Sequence, residues 1–380
     1  MISVSGLVDG GVFCHDFGEV LVRFVDSSLR VCYTVFGADG SELSSFNESY
    51  YPDREKCVRL RGLGEVMVAY LGGHGVCDMF SVDSGFMDIG GFATLQIDIC
   101  DGGSKELLQS CSQVFYAADC RTGVFPSNYR YFLSRWRERV ILPSQLLTCG
   151  YIYSGQHLKA SVMCRDANGV TTFGSCFLDV AGVPEGHVVM QQYKPSDIVR
   201  KVANGAEVDL SEVEFITFEL MDGSTRLDYM KMDIDHGHFR TRTGLLFKNT
   251  FGILEHFICK GQNKCTEDLD GVYAWIGRKY RKMYSDLTSM YTVMSGPIDE
   301  QAHQTLMDAV RSDEVYLMDD FVLGDMVTIC DVDMERISAS SKPFSDSVTY
   351  RVSDKVQDFF SRSRQLGARI FDDSYDKTFE

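Results

Sequence analysis

The sequence has no Cys-x-x-Cys pair, although it contains 13 cysteines. A zinc ribbon or a thioredoxin-like site needs that spacing, so neither is expected. No apolar run approaches the roughly 18 residues of a membrane-crossing helix, so no membrane insertion is expected. The N-terminus, Met1-Ile2-Ser3-Val4-Ser5-Gly6, has neither a basic n-region nor an apolar h-region and does not read as a signal peptide. The phosphate-cradling Gly-x-x-x-x-Gly-Lys-Ser/Thr, the Gly-x-Ser-x-Gly elbow, His-Glu-x-x-His and the protein-kinase signatures are all missing. Positive charge is also short: 37 Lys and Arg stand against 54 Asp and Glu, a net charge of −17. Gripping a phosphate backbone takes clustered Lys and Arg, so no nucleic-acid partner is expected.

What is present is a folded chain with abundant turn chemistry. Hydrophobic residues at 44 % and charged residues at 24 % are ordinary for a globular protein, and 380 residues suggest about two or three domains. Ten of the cysteines precede residue 180, and Cys100, Cys164, Cys176 and Cys259 sit in apolar stretches. They read as small hydrophobes of a reducing compartment, hence of a protein that folds in a cytoplasm, rather than as a disulfide framework.

Seven Asx-Gly dipeptides mark turns: Asp9-Gly10, Asp39-Gly40, Asp101-Gly102, Asn168-Gly169, Asn204-Gly205, Asp222-Gly223 and Asp270-Gly271. Alternation flanks several of them. Ala93, Leu95, Ile97 and Ile99 share one strand face, and so do Leu158, Ala160, Val162 and Cys164. Val170–Val180 then reads as a return strand, Val213–Met221 and Ser224–Ile234 as a second hairpin, and Val348, Tyr350 and Val352 as a late strand. Helical signals are few. Asp299–Arg311 has acids in its first turn and Arg311 in its last, with Ala302, Leu306 and Ala309 on one face. Shorter helices are expected from Ser196 to Val202 and over Ser144–Leu147. The pattern predicts a mainly β protein of several β-sandwich or barrel-like domains with few short helices. Pro143, the Pro184–Pro195 region and the polar stretch Lys260–Asp270 break the pattern. They suggest an N-terminal β domain over 1–142, a middle β-sandwich over 143–260 and an acidic, β-rich C-terminal domain over 261–380. From Ile298 to Glu380 there are 18 acids against 9 bases, a balance of −9. That is a solvated surface or, in a sharper reading, a face for a basic partner.

Candidate chemistry is sparse, and each case has a plainer rival. Gly72-Gly73-His74-Gly75 looks like a glycine-rich loop but reads better as a turn between strands Val66–Leu71 and Val76–Val82. Asp233-Ile234-Asp235-His236-Gly237-His238 is the most metal-like cluster; its rival is a polar loop after a strand, and whether it holds a metal stays open. Asp331, Asp333 and Glu335 would share one strand face, as a Ca²⁺ or Mg²⁺ site, as glycosidase-type acids, or as a solvated edge. Phe132–Arg139 and Trp275–Tyr284 mix aromatic and basic residues. Stacking on nucleic acid or sugar is one reading, and a structural or subunit contact is the other. Both stretches could meet the acidic C-terminal surface of a neighbouring copy. No catalytic residue, and no cofactor, is assigned.

Over residues 90 to 360 a family pattern emerges. It runs through Arg139-Val140-Ile141-Leu142-Pro143-Ser144 and the stretch Leu245–Glu255, with its Phe247-x-Asn249-x-Phe251-Gly252-x-x-Glu255 core. A Ser295-Gly296 turn, the Asp299–Arg311 helix and Ser312–Leu317 follow. This resembles the uncharacterised tail and baseplate-type structural proteins of tailed phages and prophages of Bacteroides-like gut bacteria. The resemblance implies a non-enzymatic virion component at a tail tip or baseplate. Such a protein would be built of β-sandwich domains, assembled in the host cytoplasm, and partnered by copies of itself and by neighbouring virion proteins. The first 90 residues take no part in it. The alternatives are a carbohydrate-binding or adhesin module, for which 18 Tyr, 25 Phe and 2 Trp could supply stacking surfaces, and a carboxylate- or metal-dependent hydrolase.

Overall fold

The computed structural model describes residues 2–71, 74–81, 83–116, 130–165, 169–205, 208–276, 278–334 and 344–352. From the N-terminus the strands are β1 (Ser3–Ser5), β2 (Val12–Phe13), β3 (Val20–Arg23), β4 (Leu29–Phe36), β5 (Glu42–Tyr50) and β6 (Cys57–Leu60). Helices α1 (Leu63–Leu71) and α2 (Val76–Met79) precede β7 (Gly85–Gly90), β8 (Phe92–Asp101) and β9 (Leu107–Tyr116). The middle of the chain forms β10 (Glu138–Ile141), β11 (Leu147–Ile152), β12 (His157–Arg165), β13 (Thr171–Leu178) and β14 (Val188–Tyr193). Helix α3 (Pro195–Val202) and the hairpin β15 (Val213–Asp222) and β16 (Thr225–Ile234) complete it. The last part holds β17 (Thr243–Lys248), β18 (Leu254–Cys259), β19 (Asn263–Ile276), β20 (Lys279–Met294) and α4 (Glu300–Arg311). It ends on β21 (Val315–Asp319), β22 (Val322–Asp333) and β23 (Ser347–Val352). The protein is thus mainly β, with sandwich-like packing and few short helices, as the turn and alternation signals predict.

The N-terminal body pairs a five-stranded sheet, β2-β9-β8-β4-β5, with a three-stranded one, β1-β3-β6. Ala93, Leu95, Ile97 and Ile99 of β8 are fully buried, and they pack with Val31, Tyr33 and Val35 of β4 and Val20 and Val22 of β3. The strands expected at Val66–Leu71 and Val76–Val82 are instead the helices α1 and α2. A short apolar run fits either period, and here tertiary packing decides. Leu63 and Met67, one helical turn apart, enter the core. Gly64 lets α1 press against the Cys14 carbonyl, where a Cβ would lie 2.0 Å from the oxygen. Gly72, Gly73 and Val82 lie outside the described residues, as do Asn168, Glu335 and everything after Val352.

The middle five-stranded sheet has the order β10-β16-β15-β12-β13, with β10 parallel to β16 and the other pairs antiparallel. Both expected hairpins are present, and Gly223 turns β15 into β16 at φ 56°. Leu158, Ala160 and Val162 are buried, whereas Cys164 is only half-buried. A three-stranded sheet, β11-β14-β7, lies against this one. Every residue of β11 and β14 is buried. Leu147, Cys149, Tyr151, Val189 and Tyr193 face the middle sheet, while Ile152, Val188 and Met190 face Phe13, Tyr116, Leu246 and Ile253. This small sheet is therefore a central layer. A buried amide within it is matched: Gln191 donates to the Tyr151 hydroxyl at 2.9 Å and accepts from Tyr193 at 2.8 Å. The helix expected over Ser144–Leu147 is a turn that leads into β11. Its Leu146 N–H donates to His256 Nδ1 at 2.8 Å, and the Gln145 amide donates to the His256 carbonyl at 2.6 Å, so tertiary partners replace helical ones.

The C-terminal sheet has seven strands, β18-β17-β21-β22-β23-β20-β19. Helix α4 lays Ala302, Leu306 and Ala309 against Leu245, Phe247, Phe257, Val315 and Val348. The Asp299 side chain caps it by accepting from the Ala302 N–H at 2.8 Å. Residue 142 directly follows β10, and residue 260 directly follows β18. The polar stretch Lys260–Asp270 does not break the strand pattern; β19 runs through it and carries Asp270-Gly271 mid-strand. The described residues at the start of β19, Asn263–Glu267, are all exposed and carry no apolar alternation, which is why sequence patterning misses the strand. Among the described residues, only Tyr291–Met294 of β20 find a further strand partner, in β23. From Thr266↔Met290 to Ile276↔Lys279 the two strands pair, among the described residues, with each other alone. Among the described residues no helix is long and apolar enough to cross a membrane.

Candidate functional site

The two motifs singled out in sequence, Phe132–Arg139 and Phe247–Glu255, meet inside the protein. Arg139 is 2 % exposed, and its guanidinium lies 3.6 Å from the Glu255 carboxylate, itself 2 % exposed. Arg139 also donates to the Trp136 carbonyl at 2.9 Å and to Ser134 Oγ at 3.1 Å, and lies 5.0 Å from the Trp136 ring centroid. Burial holds the Arg139 pKa below the ordinary guanidinium value, with Glu255 opposing. Glu255 Oε1 accepts from the Ser134 hydroxyl and from Asn249 Nδ2. Asn249 completes the knot: its Nδ2 reaches the Leu133 carbonyl at 2.9 Å, and its Oδ1 accepts from the N–H groups of Phe251 and Ile253. Gly252, at φ 77°, makes the tight turn that lets Asn249 do this. The Phe-x-Asn-x-Phe-Gly-x-x-Glu core is therefore a turn and its lock, binding the β17–β18 hairpin to the segment before β10. Arg137 pairs with Asp228 at 2.9 Å on the other side of that segment. The aromatic-basic stretch Phe132–Arg139 thus serves internal structure.

Beside this lock, between Trp136 and α4, lies a cavity of about 1390 Å³. Lys260, His303, Asp308, Arg311 and Phe344 are among its walls. His303 comes from α4, is 6 % exposed, and places Nδ1 2.6 Å from Asp346 Oδ2. Phe344 stacks on the imidazole at 4.4 Å, and Asp346 is fixed by bonds from its backbone N–H to Ser295 Oγ and from the Ser295 N–H to its carbonyl. His303 thus lines the cavity with its Nδ1 engaged by Asp346. Burial raises the Asp346 pKa and His303 opposes the rise. Burial also pushes the Asp308 carboxyl up to about 6, against the pull of Arg135. A carboxylate-held imidazole beside a cavity can act as a base. A side-chain nucleophile is harder to find: Ser295 Oγ donates to the Gly296 carbonyl at 2.7 Å while accepting from Asp346. Nothing in the sequence announced this pair, because 43 residues separate its members.

The metal-like cluster is dispersed by its own partners. Asp233 pairs with Lys231 at 2.7 Å, Asp235 with Lys260 at 2.8 Å, and His236 Nε2 lies 2.8 Å from the Val213 carbonyl. Asp331 and Asp333 project from β22 into solvent, while Glu335 is outside the described residues. Val76 N–H donates to Glu314 at 2.6 Å, so a carboxylate, not a phosphate, sits at the start of α2. One grouping the motifs did not suggest is Asp53, Glu55 and Cys57, whose ligand atoms lie within 4.8 Å of one another. It is an exposed turn whose Asp53 Oδ1 already accepts the N–H groups of Glu55 and Cys57. Arg278, Lys279 and Tyr280 sit exposed at the far end of the β19–β20 ribbon, where Tyr273 and Tyr280 stack at 5.5 Å.

The twelve cysteines within the described residues are all free thiols. Cys149 and Cys259 are fully buried, and burial pushes each thiol up to about 12. Cys100, Cys164 and Cys176 are half-buried instead.

No protein-family model matches this chain, and no curated protein sequence matches it. Among solved structures, it is similar at 9 % identity and a TM-score of 0.19 to the calcium-binding domain CBD12 of CALX1.1, covering 62 % of this chain and 100 % of that one. It is similar at 10 % identity and a TM-score of 0.15 to Dpr2 Ig1-Ig2 in complex with DIP-Theta Ig1-Ig3, covering 94 % and 92 %. Likenesses this slight carry no argument about function.

Proposed function

We propose that this protein is a non-enzymatic structural component of a phage particle, at the tail tip or baseplate, and that it works through protein–protein interfaces. The class comes from the sequence resemblance. The observation that best supports an assembling role is the open edge at β13. This strand ends the middle sheet, and among the described residues its outer hydrogen-bonding edge has no strand partner. Phe173 and Phe177, on one face of β13, are 64 % and 57 % exposed. A solitary protein protects an edge strand with charge, proline or a covering element; an open edge bearing aromatic rings invites another chain. The partners on this reading are further copies and neighbouring virion proteins, and the site of assembly is the host cytoplasm. Native mass spectrometry across concentrations, with protein mass spectrometry of purified particles, tests it. Oligomers and presence in particles are expected. A strict monomer that is absent from particles would defeat the proposal.

A second reading, a ligand-binding or hydrolytic protein, draws on the His303–Asp346 pair beside its cavity. Glycan arrays and a panel of ester and glycoside substrates test it. A hit that His303→Ala abolishes, with the fold intact, would favour it over the structural role.

A further inference from the structure

We propose that the β19–β20 ribbon is an arm whose basic tip docks on the acidic outer face of β22 in a second copy of this chain. This rests on the assembling role above and names the surfaces that would serve it. The unsupported part of the ribbon, Thr266–Ile276 with Lys279–Met290, extends about 35 Å at the usual strand rise. A lone two-stranded ribbon is marginally stable in water, so an arm of this length gains from a partner. Its charges are sorted along its length. Between Tyr273 and Lys282 the sequence has four cations, Arg278, Lys279, Arg281 and Lys282, and no acid. Acids Glu267, Asp268 and Asp270 fall on the shank. Arg278 and Lys279 are exposed, and among the described residues neither pairs with a carboxylate.

The complementary surface lies on the same chain. Asp331 and Asp333 stand opposite Thr349 and Ser347, on the face of the sheet turned away from Val348 and Tyr350. Among the described residues no Lys or Arg pairs with Asp325, Asp331 or Asp333. Asp319 and Asp320, at the β21–β22 turn at the other end of β22, by contrast already hold Arg242. The tip and β22 are different patches, so the contact is heterologous: each copy offers an arm to one neighbour and a face to another, which closes into a ring or runs on as a filament.

Charge reversal tests this. Arg278→Glu with Lys279→Glu reverses the tip, and Asp331→Lys with Asp333→Lys reverses the face. Each variant alone is expected to assemble roughly tenfold or more weakly than wild type, because like charges then oppose each other. A 1:1 mixture is expected to restore assembly, since reversed tips meet reversed faces and native tips meet native faces. Light scattering and native mass spectrometry read the result, and circular dichroism confirms that each variant is folded. If tip-reversed protein assembles as wild type does, or the mixture fails to restore assembly, the arm is overturned while the assembling role stands. A wild-type protein that never assembles overturns both.

Discussion

A guanidinium and a carboxylate out of reach of water must satisfy each other. Arg139 and Glu255 do so within the Ser134–Asn249 knot, leaving Glu255 Oε2 without a hydrogen bond. Such a pair is costly to break and cheap to replace whole. Glu255→Ala is therefore expected to lose about 3–5 kcal/mol in urea unfolding, while Arg139→Met with Glu255→Leu loses much less. Asp308 gives a pH signature. Its folded pKa, raised by burial to about 6 from 3.8, means the native state binds the proton more tightly than the unfolded chain does. Stability from this group is present below pH 3.8 and lost as pH rises through 6. Asp308→Asn should then be more stable than wild type at pH 7.5, by up to roughly 3 kcal/mol, with the gap closing toward pH 4. His256 works in the opposite direction: burial lowers its pKa to about 3 from 6.5, so its contribution is present above pH 6.5 and falls away toward pH 3. The difference between variant and wild type isolates the aspartate, because both carry His256. A gap that stays constant with pH would contradict the assignment.

At the scale of elements, the central layer depends on backbone approach. At Gly150 of β11 a Cβ would come within 2.4 Å of Ile253 Cδ1 and 2.6 Å of its Cγ1. Ile253 is 1 % exposed and cannot swing into solvent. Gly150→Ala is expected to cost about 1–3 kcal/mol of overpacking, and adding Ile253→Val should recover part of it, as thermal unfolding of the three proteins would show. Elements with one wet and one dry face were legible in the sequence. The alternation in β8 and β12, the Asp222-Gly223 turn and the capped α4 each carry a local signature that packing reinforces. Elements whose form depends on distant partners were not. Helix α1 and the Ser144–Leu147 turn are set by Cys14 and His256, and β19 follows its ladder to β20. The Phe-x-Asn-x-Phe-Gly-x-x-Glu spacing was visible, but its role as a lock needed Arg139 and Ser134 beside it. The His303–Asp346 contact had no sequence sign.

For the whole molecule, the net charge of −17 is less informative than its sorting. On the proposed contact, an acidic body with a basic-tipped arm would attract copies of itself in one orientation. If tip-to-face contact drives assembly, raising salt from 0.1 to 1 M shortens the screening length from about 10 Å to about 3 Å and should shift oligomers toward monomer. Contacts through Phe173 and Phe177 would be spared or strengthened by salt. Light scattering at the two salt levels, on wild type and on Phe173→Ser with Phe177→Ser, separates the two contributions.

The central layer also fixes an order of events during synthesis. Strand β7 takes its place by pairing with β14, yet Gly90 and its partner Val188 are nearly a hundred residues apart. At about 5–20 residues per second, the ribosome makes β14 about 5–20 seconds after β7. In that interval the N-terminal sheets can close around their own core while β7 waits as an exposed strand. Helper proteins and competing copies then have seconds in which to find it, so the yield of correctly folded chains should depend on translation speed between residues 90 and 188.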